Sequence, residues 1–293
     1  MGRAGFDHYV ALIRSGSTDL YAAYRVYEHA YRLRGADQQV ARRATLLLLE
    51  GDPWFLVDAM PYFVDCLRTS DVDHVLPRIG AGLDAAVRAQ LQARLLYYTA
   101  PIRARPDRSR LAAVRTSLQR VPARVRDAEW HRMLANIHLR LGDWNSYKRG
   151  FSAHYDAADR GWRTGVVRDG LYAATKHRDW KTFDRWRPLW DQQPPSASYC
   201  ECSKHQVATY DGHRAIAARR WHDADADLAR SIAVDGCPHL NSGGVDLSLV
   251  RKLLTRKPHR ATCQLFLERA RSFGNTQAID QLAKRLGPKG TDR

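Results

Sequence analysis

Cys200, Cys202 and His205 lie within six residues in the stretch YCECSKHQ, and Cys237 and His239 follow 32 and 34 residues after His205 in CPHL. Zinc takes four nitrogen or sulfur ligands in a tetrahedron, and thiolate with imidazole suits it. These five side chains would suffice for a structural zinc if the fold brought them to one place. Two of the thiols could instead form a redox pair or a disulfide. The spacing C-x-C-x2-H…C-x-H differs from the paired C-x2-C of common zinc modules, and Pro238 restricts the backbone between Cys237 and His239. The plainest reading is ordinary cysteines and a surface histidine at a helix end. The other two cysteines, Cys66 and Cys263, stand among apolar neighbours in VDCL and TCQLF and read as small buried hydrophobes.

A second chemistry is cationic. The segment IRARPDRSRLAAVRTSLQRVPARVR carries Arg103, Arg105, Arg108, Arg110, Arg115, Arg120, Arg124 and Arg126 against one acid, Asp107. The planar guanidinium fork matches carboxylate and phosphate alike. The segment therefore reads as a solvated basic face, a surface for an acidic peptide or protein, or a grip on a nucleic-acid backbone. Trp130, Trp144, Trp162, Trp180, Trp186 and Trp190 follow it. They could stack on bases, but their recurrence at helix junctions suits core packing better. No zinc-finger, homeodomain or RNA-recognition signature accompanies them.

Tyr21, Tyr24, Tyr27 and Tyr31 form an aromatic stripe. It reads as one buried helix face, or, through Tyr24, Tyr27 and Tyr31, as anchors in a peptide groove. Asp223, Asp225 and Asp227 lack the Gly and Glu of a calcium loop, since Leu228 and Val234 hold those places. They fit a helix N-terminus instead. His131 and His138, seven residues apart on one helix face, stand too far apart to share a metal. The nucleophile, zincin and phosphate-loop motifs are absent. A non-catalytic role is expected.

The 293 residues are 44% apolar and 27% charged, which reads as soluble and globular rather than disordered. No apolar run reaches membrane-spanning length, and the start MGRAGFDHYV has no apolar signal core. A cytoplasmic location is expected. The net charge of +16 is uneven: residues 101–190 hold 20 Lys and Arg against 9 acids, whereas residues 1–100 balance at 11 each. Such asymmetry can mark a surface for an anionic partner. Arginine outnumbers lysine 39 to 8, which also fits codon bias in a GC-rich genome.

The elements that must position these residues are helices. DLYAAYRVYEHAYRL places Leu20, Tyr24, Tyr27 and Tyr31 at i, i+4, i+7 and i+11, with Ser17, Thr18 and Asp19 as caps. AAVRAQLQARLLYYTA and SRLAAVRTSLQRV follow the same period, and no run alternates at period two. The helices also repeat. LRLGDWNSYKRGF, TKHRDWKTFDRWR and AARRWHDADADLA each end one helix, present a tryptophan and begin another. Trp144, Trp180 and Trp221 stand 36 and 41 residues apart, a period that predicts stacked helical hairpins. Pro258, 37 residues after Trp221, marks a further junction, and LLLLEGDPWFLVDAM around Trp54 an earlier one.

GDWNSYKRGF and RRWHDADADLARSIAVDG resemble the turn and second helix of tetratricopeptide repeats. Gly142-Asp143-Trp144 fits the turn of that family, and Ala135, Gly212 and Ala224 fit its small positions, while Tyr147 departs from it. The closing segment from CPHL to ERARSFG is similar to the tail of bacterial proteins of this class. The resemblance covers residues 127–286 best. It implies a fold and a habit of binding peptides or proteins, and it carries no catalytic residue.

The expected architecture is all-α without a sheet: a right-handed α-solenoid of antiparallel helical hairpins. Divergent helical repeats fill residues 1–100. A Pro/Arg joint at Pro101 and Pro106 and a basic helix fill 101–126. Repeat-like hairpins fill 127–286, broken at Pro194-Pro195, and residues 287–293 fray. The expected role is a scaffold or adaptor for an acidic peptide or protein. A nucleic-acid binder and a metal-dependent protein using the Cys/His cluster are the alternatives.

Overall fold

A computed structural model of the chain describes residues 3–29, 38–52, 67, 69–100, 107–193, 201–235, 240, 244–274 and 276–286. Among them every regular element is helical and no strand occurs. The chain divides into two compact units, Met1–Ala157 and Ala158–Arg293. The division falls inside the block 127–286 that the repeat pattern groups together.

The first unit holds α1 (Arg3–Arg14), α2 (Leu20–Glu28), α3 (Gln38–Gly51), α4 (Thr69–Val75), α5 (Ala85–Thr99), α6 (Arg108–Arg120), α7 (Ala128–Leu141) and α8 (Trp144–Ala157). Aspartates start many of these helices. Asp19, Asp84, Asp107, Asp127 and Asp143 each accept a hydrogen bond from an open N–H of the first turn. Apolar spacing then sets the buried faces. Phe6, Val10 and Ile13 of α1 join Val26 and Tyr27 of α2 and Leu48 and Leu49 of α3 in one core. Leu111, Val114 and Leu118 of α6 meet Trp130, Met133 and Ile137 of α7 in another. The Trp130 indole N–H donates to the Leu118 carbonyl at 2.9 Å, which satisfies one of the last carbonyls of α6.

The second unit holds α9 (Arg163–His177), α10 (Trp180–Asp191), α11 (Glu201–Ala217), α12 (Trp221–Ile232), α13 (Ser248–Leu253), α14 (Arg260–Ala270) and α15 (Thr276–Leu286). Consecutive helices pack as pairs, α9 on α10 and α11 on α12; α11 also packs on α9 and on α13, and α12 on α14. Ala224, Leu228, Ile232, Leu249, Phe266 and Ile279 form its core. Gly212 permits the approach of α13: a Cβ there would lie 2.3 Å from Leu249 Cδ2. Cys263 is buried in this core as its neighbours predict.

The three tryptophan segments that align in sequence share one junction. Gly142, Arg178 and Arg219 all adopt the left-handed conformation, at φ 80°, 53° and 61°. The next N–H reaches back five residues each time: Asp143 to His138 O, Asp179 to Ala174 O and Arg220 to Ala215 O, at 2.8, 3.0 and 2.9 Å. This is the Schellman closure of a helix C-terminus. Asp143 and Asp179 then cap the following helix through the N–H of Ser146 and Thr182. Arg220 offers no acceptor at the third junction; its guanidinium pairs with Asp223 of the first turn at 2.8 Å.

Left-handed backbone suits Gly and strains other residues. Gly142→Ala is expected to lower stability by about 1 kcal/mol. Arg178→Gly and Arg219→Gly are expected to raise it by about 0.5 kcal/mol each, since strain relief exceeds the entropy added to the unfolded chain. Urea unfolding midpoints of the three variants check the opposite signs.

Candidate functional site

Exposed side chains of α9 and α13 and buried polar and aromatic side chains of α11 lie side by side in the second unit. Arg168, Tyr172 and Lys176 recur every four residues on α9, while Leu171, Ala173 and Ala174 between them are buried. Tyr172 is 45% exposed and meets Tyr210 of α11 at a ring distance of 5.9 Å. The Lys176 ammonium stands over the Tyr172 ring, 5.3 Å from its centre. Arg168 reaches Ser203 of α11 at 3.4 Å and pairs with its neighbour Asp169. Beside Lys176, Arg178 occupies the left-handed turn that ends α9.

One turn beyond Tyr210 lies His213, 6% exposed. Lys252 Nζ of α13 stands 3.2 Å from its Nδ1, and Ser248 Oγ stands 2.8 Å from its Nε2. An ammonium has no lone pair, so Lys252 donates and Nδ1 accepts. The ring proton is thereby assigned to Nε2, which donates to Ser248. Burial first, then the charges of Lys252 and Lys176, push His213 down to about 4 against the opposing pull of Asp246. Lys252 is lowered as well, by burial and then by Arg178 and Lys176. Asp246 is committed to the Ser248 N–H at 2.7 Å. Lys176 and Arg178 thus act on Lys252 through their charge, and among the described residues none of the three is paired with a carboxylate.

The opposite side of α11 has the reverse character. Asp211 accepts from Arg187 Nε at 2.7 Å and from Arg230 at 2.7 Å, and Arg230 also binds Asp227 at 2.8 Å. Burial foremost pushes the Asp227 carboxyl up to about 6. A cavity of about 310 Å³ lies there, and its charged lining is Arg187, Asp191, Lys204, Asp211 and Arg230.

The residues singled out in the sequence fare unevenly. Cys200, Cys237, His239, Tyr31, Arg103 and Arg105 lie outside the described residues, as do Cys66, Trp54 and the prolines at 101, 106, 194 and 195. His205, read as a candidate metal ligand or a surface histidine, is buried with both ring nitrogens hydrogen-bonded. The Asp246 N–H donates to Nε2 at 2.8 Å, so Nδ1 carries the proton and donates to the Ser231 carbonyl at 2.7 Å. Cys202 packs against the apolar core. The Cys263 thiol is pushed up to about 12 by burial and then by Asp225, which makes it unreactive.

Of the tyrosine stripe, Tyr24 is exposed but Tyr27 is 4% exposed and belongs to the core, which removes it as a groove anchor. Three arginines are spent locally. Arg110 donates to the Thr99 carbonyl at 2.9 Å, Arg124 pairs with Asp84 at 2.9 Å, and Arg126 donates to the Val121 carbonyl and stacks on Trp130. Arg108, Arg115 and Arg120 remain on α6 without a carboxylate partner among the described residues. Trp130 and Trp186 are buried as core residues, whereas Trp162 is exposed.

Sequence reasoning missed Tyr172, Lys176, Arg178, His213 and Lys252. The four-residue spacing of Arg168, Tyr172 and Lys176 was a readable signal. The meeting of His213 with Lys252, 39 residues apart, required the fold. The fold and this surface define an all-helical protein with a cation-rich, tyrosine-flanked face. No protein-family model, no curated protein and no solved structure matches the chain, so its function has to be inferred from the site's own chemistry.

An unfolded histidine titrates near pH 6.5, about 2.5 units above His213 in the fold. The unfolded chain therefore takes up that proton first. The stability contributed by neutral His213 is whole above pH about 6.5 and declines as the pH falls toward 4. Depressed His205, His131 and His138 act in the same direction. His213→Gln is expected to reduce, without abolishing, the fall in urea-unfolding free energy between about pH 7 and 5. Equal slopes in variant and parent would refute the assignment. His205→Ala should cost about 2–4 kcal/mol at neutral pH, since it strands the Ser231 carbonyl and the Asp246 N–H.

Proposed function

We propose that the chain is a non-catalytic helical-repeat scaffold whose second unit binds an acidic peptide or protein segment on the face of α9, α11 and α13. The observation that carries the reading is Lys176 over the Tyr172 ring, which meets Tyr210, with Lys252 on His213 one turn further and Arg178 acting on Lys252 by charge, and no carboxylate paired to any of the three cations among the described residues. Arg187 and Arg214 of the same unit, by contrast, are matched with Asp211 and Asp184. An acidic segment would supply the missing charge, and tyrosine would supply contact area. A right-handed, tetratricopeptide-like solenoid is the architecture that accompanies this reading. Its support is the shared junction at Trp144, Trp180 and Trp221 and the succession of helix pairs.

A nucleic-acid partner is the competing reading, supported by unpaired Arg108, Arg115 and Arg120 on α6. Fluorescence anisotropy separates the two. The probes are a labelled, amidated peptide of alternating Glu and Tyr, its Gln counterpart, and single-stranded DNA and RNA oligonucleotides. The Glu peptide is expected to bind and the Gln peptide to bind at least tenfold more weakly, about one charge-assisted contact in energy. The double variant Lys176→Met/Lys252→Met should lose the preference for Glu. Tight oligonucleotide binding with a steep salt slope, and none to the Glu peptide, would replace this reading with the other.

A further inference from the structure

The face described above is uneven in one respect. Its exposed cations come from two helices and a turn, and two of them act on a single buried imidazole, Lys252 through a hydrogen bond and Lys176 through its charge. His213 is the acceptor for the Lys252 ammonium at 3.2 Å and the donor to Ser248 at 2.8 Å. Its partners among the described residues come from two helices and one connecting segment. Lys252 and Ser248 approach from α13, Asp246 from the segment before it, and Lys176 from α9; Arg178, at the end of α9, acts on Lys252. On α11 itself Tyr210 sits one turn away, its phenol raised by burial and then by Asp246. The sum is three fixed cations, one carboxylate already bound to a backbone N–H, and one neutral imidazole.

An ammonium that donates to an imidazole nitrogen uses a neutral acceptor where an anion would serve better. We infer that Lys176, Arg178 and Lys252 form a subsite for one carboxylate, with His213 as a positioning residue that takes up a proton when the carboxylate binds. The bound anion accepts from Lys252, Lys176 and Arg178. Lys252 then releases Nδ1. A proton from solvent binds there, and the imidazolium donates toward the anion while Nε2 keeps its bond to Ser248. No covalent bond changes. The site is specific to this end of the face, because Arg168, at the other end of α9, is already matched by Asp169.

Proton uptake makes the affinity depend on pH. An anion that raises the imidazole's proton affinity must bind more tightly as the pH falls, by linkage. A surface held together by lysine and arginine charge alone has no such dependence in this range. The inference rests on the acidic-segment reading above, and the two can fail separately.

The test uses the full chain and oxalate, which stays fully ionised through the mildly acidic range. The His213 ring signals are followed by NMR in oxalate and in chloride at equal ionic strength. The expected result is a saturable shift of these signals and an upward move of the imidazole titration in oxalate. Calorimetry in two buffers of different ionisation heat should show net proton uptake. Lys176→Met or Arg178→Met, both at exposed positions, should weaken oxalate about tenfold, the loss of one charge-assisted hydrogen bond. His213→Gln should retain binding but lose its pH dependence, and the wild-type calorimetry stands as evidence if that variant does not fold. No saturable shift, or binding without proton uptake, overturns the inference. Oxalate binding with proton uptake, but no binding of the Glu peptide, upholds the subsite and defeats the acidic-segment reading. Glu peptide binding unaffected by Lys252→Met and without proton uptake does the reverse. A Glu peptide that binds only with a free C-terminus would assign the carboxylate to the chain end instead of a side chain.

Discussion

His205 is 1% exposed and stands between two backbone groups that belong to different parts of the second unit. Its Nδ1–H serves the Ser231 carbonyl in the last turn of α12, and its Nε2 receives the Asp246 N–H from the segment leading into α13. An α-helix cannot satisfy its last carbonyls itself, nor can an irregular segment satisfy its own N–H groups. One imidazole answers both needs at once, and only in its neutral form with the proton on Nδ1. Asp246 is thereby fixed, and its carboxylate caps the Ser248 N–H that starts α13. Lys252 follows one helical turn later. The position of Lys252 against His213 thus descends from His205 through two hydrogen bonds and a short helix. Gly212 sets the separation, since any side chain there would meet Leu249.

The first unit relies on buried charge in a comparable way. Arg94, 3% exposed, pairs with Asp127, which also accepts from Gln90 at 2.9 Å and caps the Trp130 N–H at 2.8 Å. One carboxylate therefore ties α5 to the start of α7. Nearby, Glu129 accepts from Tyr98 and Arg132. Burial alone would raise the Glu129 pKa, but the bonds from Arg132 outweigh it and the carboxyl is held low. Buried pairs of this kind are weak contributors to net stability, because desolvation offsets attraction. Their effect is to fix one register between helices whose apolar faces alone would tolerate several.

The sequence carried the helices and their junctions well, and the surface poorly. Apolar residues at helical spacing mark the buried face of α6, where Leu111, Val114 and Leu118 recur, because burial leaves a periodic trace. The Trp144, Trp180 and Trp221 junctions were visible for a similar reason: a helix must end, and the residues that end it sit next to one another. Arg178 and Arg219 concealed the likeness, since nothing in an arginine announces a left-handed turn. His205 is harder to read. Beside two cysteines it looks like a ligand, and only Ser231 and Asp246, 26 and 41 residues away, show that its ring is already occupied. Tyr27 is buried and Tyr24 exposed, and a stripe of tyrosines does not say which of its members point inward.

Arginine abundance also misled, and the reason is physical. A guanidinium can close a helix end as readily as it can meet a ligand. Arg110, Arg126 and Arg163 each donate to a carbonyl left open near the end of a preceding helix: Thr99, Val121 and Ala158. Charge used in this way still counts toward a net of +16, but it is held against the fold. A surplus counted along the sequence therefore overstates the positive surface on offer. Lysine is the better marker in this chain. Its single ammonium lacks the fork that suits arginine to bidentate pairing, and only 8 residues of the chain are lysine. Two of them, Lys176 and Lys252, act on one buried imidazole, and neither is paired with a carboxylate among the described residues. In a protein that commits so many of its cations to its own backbone and aspartates, an uncommitted group of this kind is where an anionic partner would gain most.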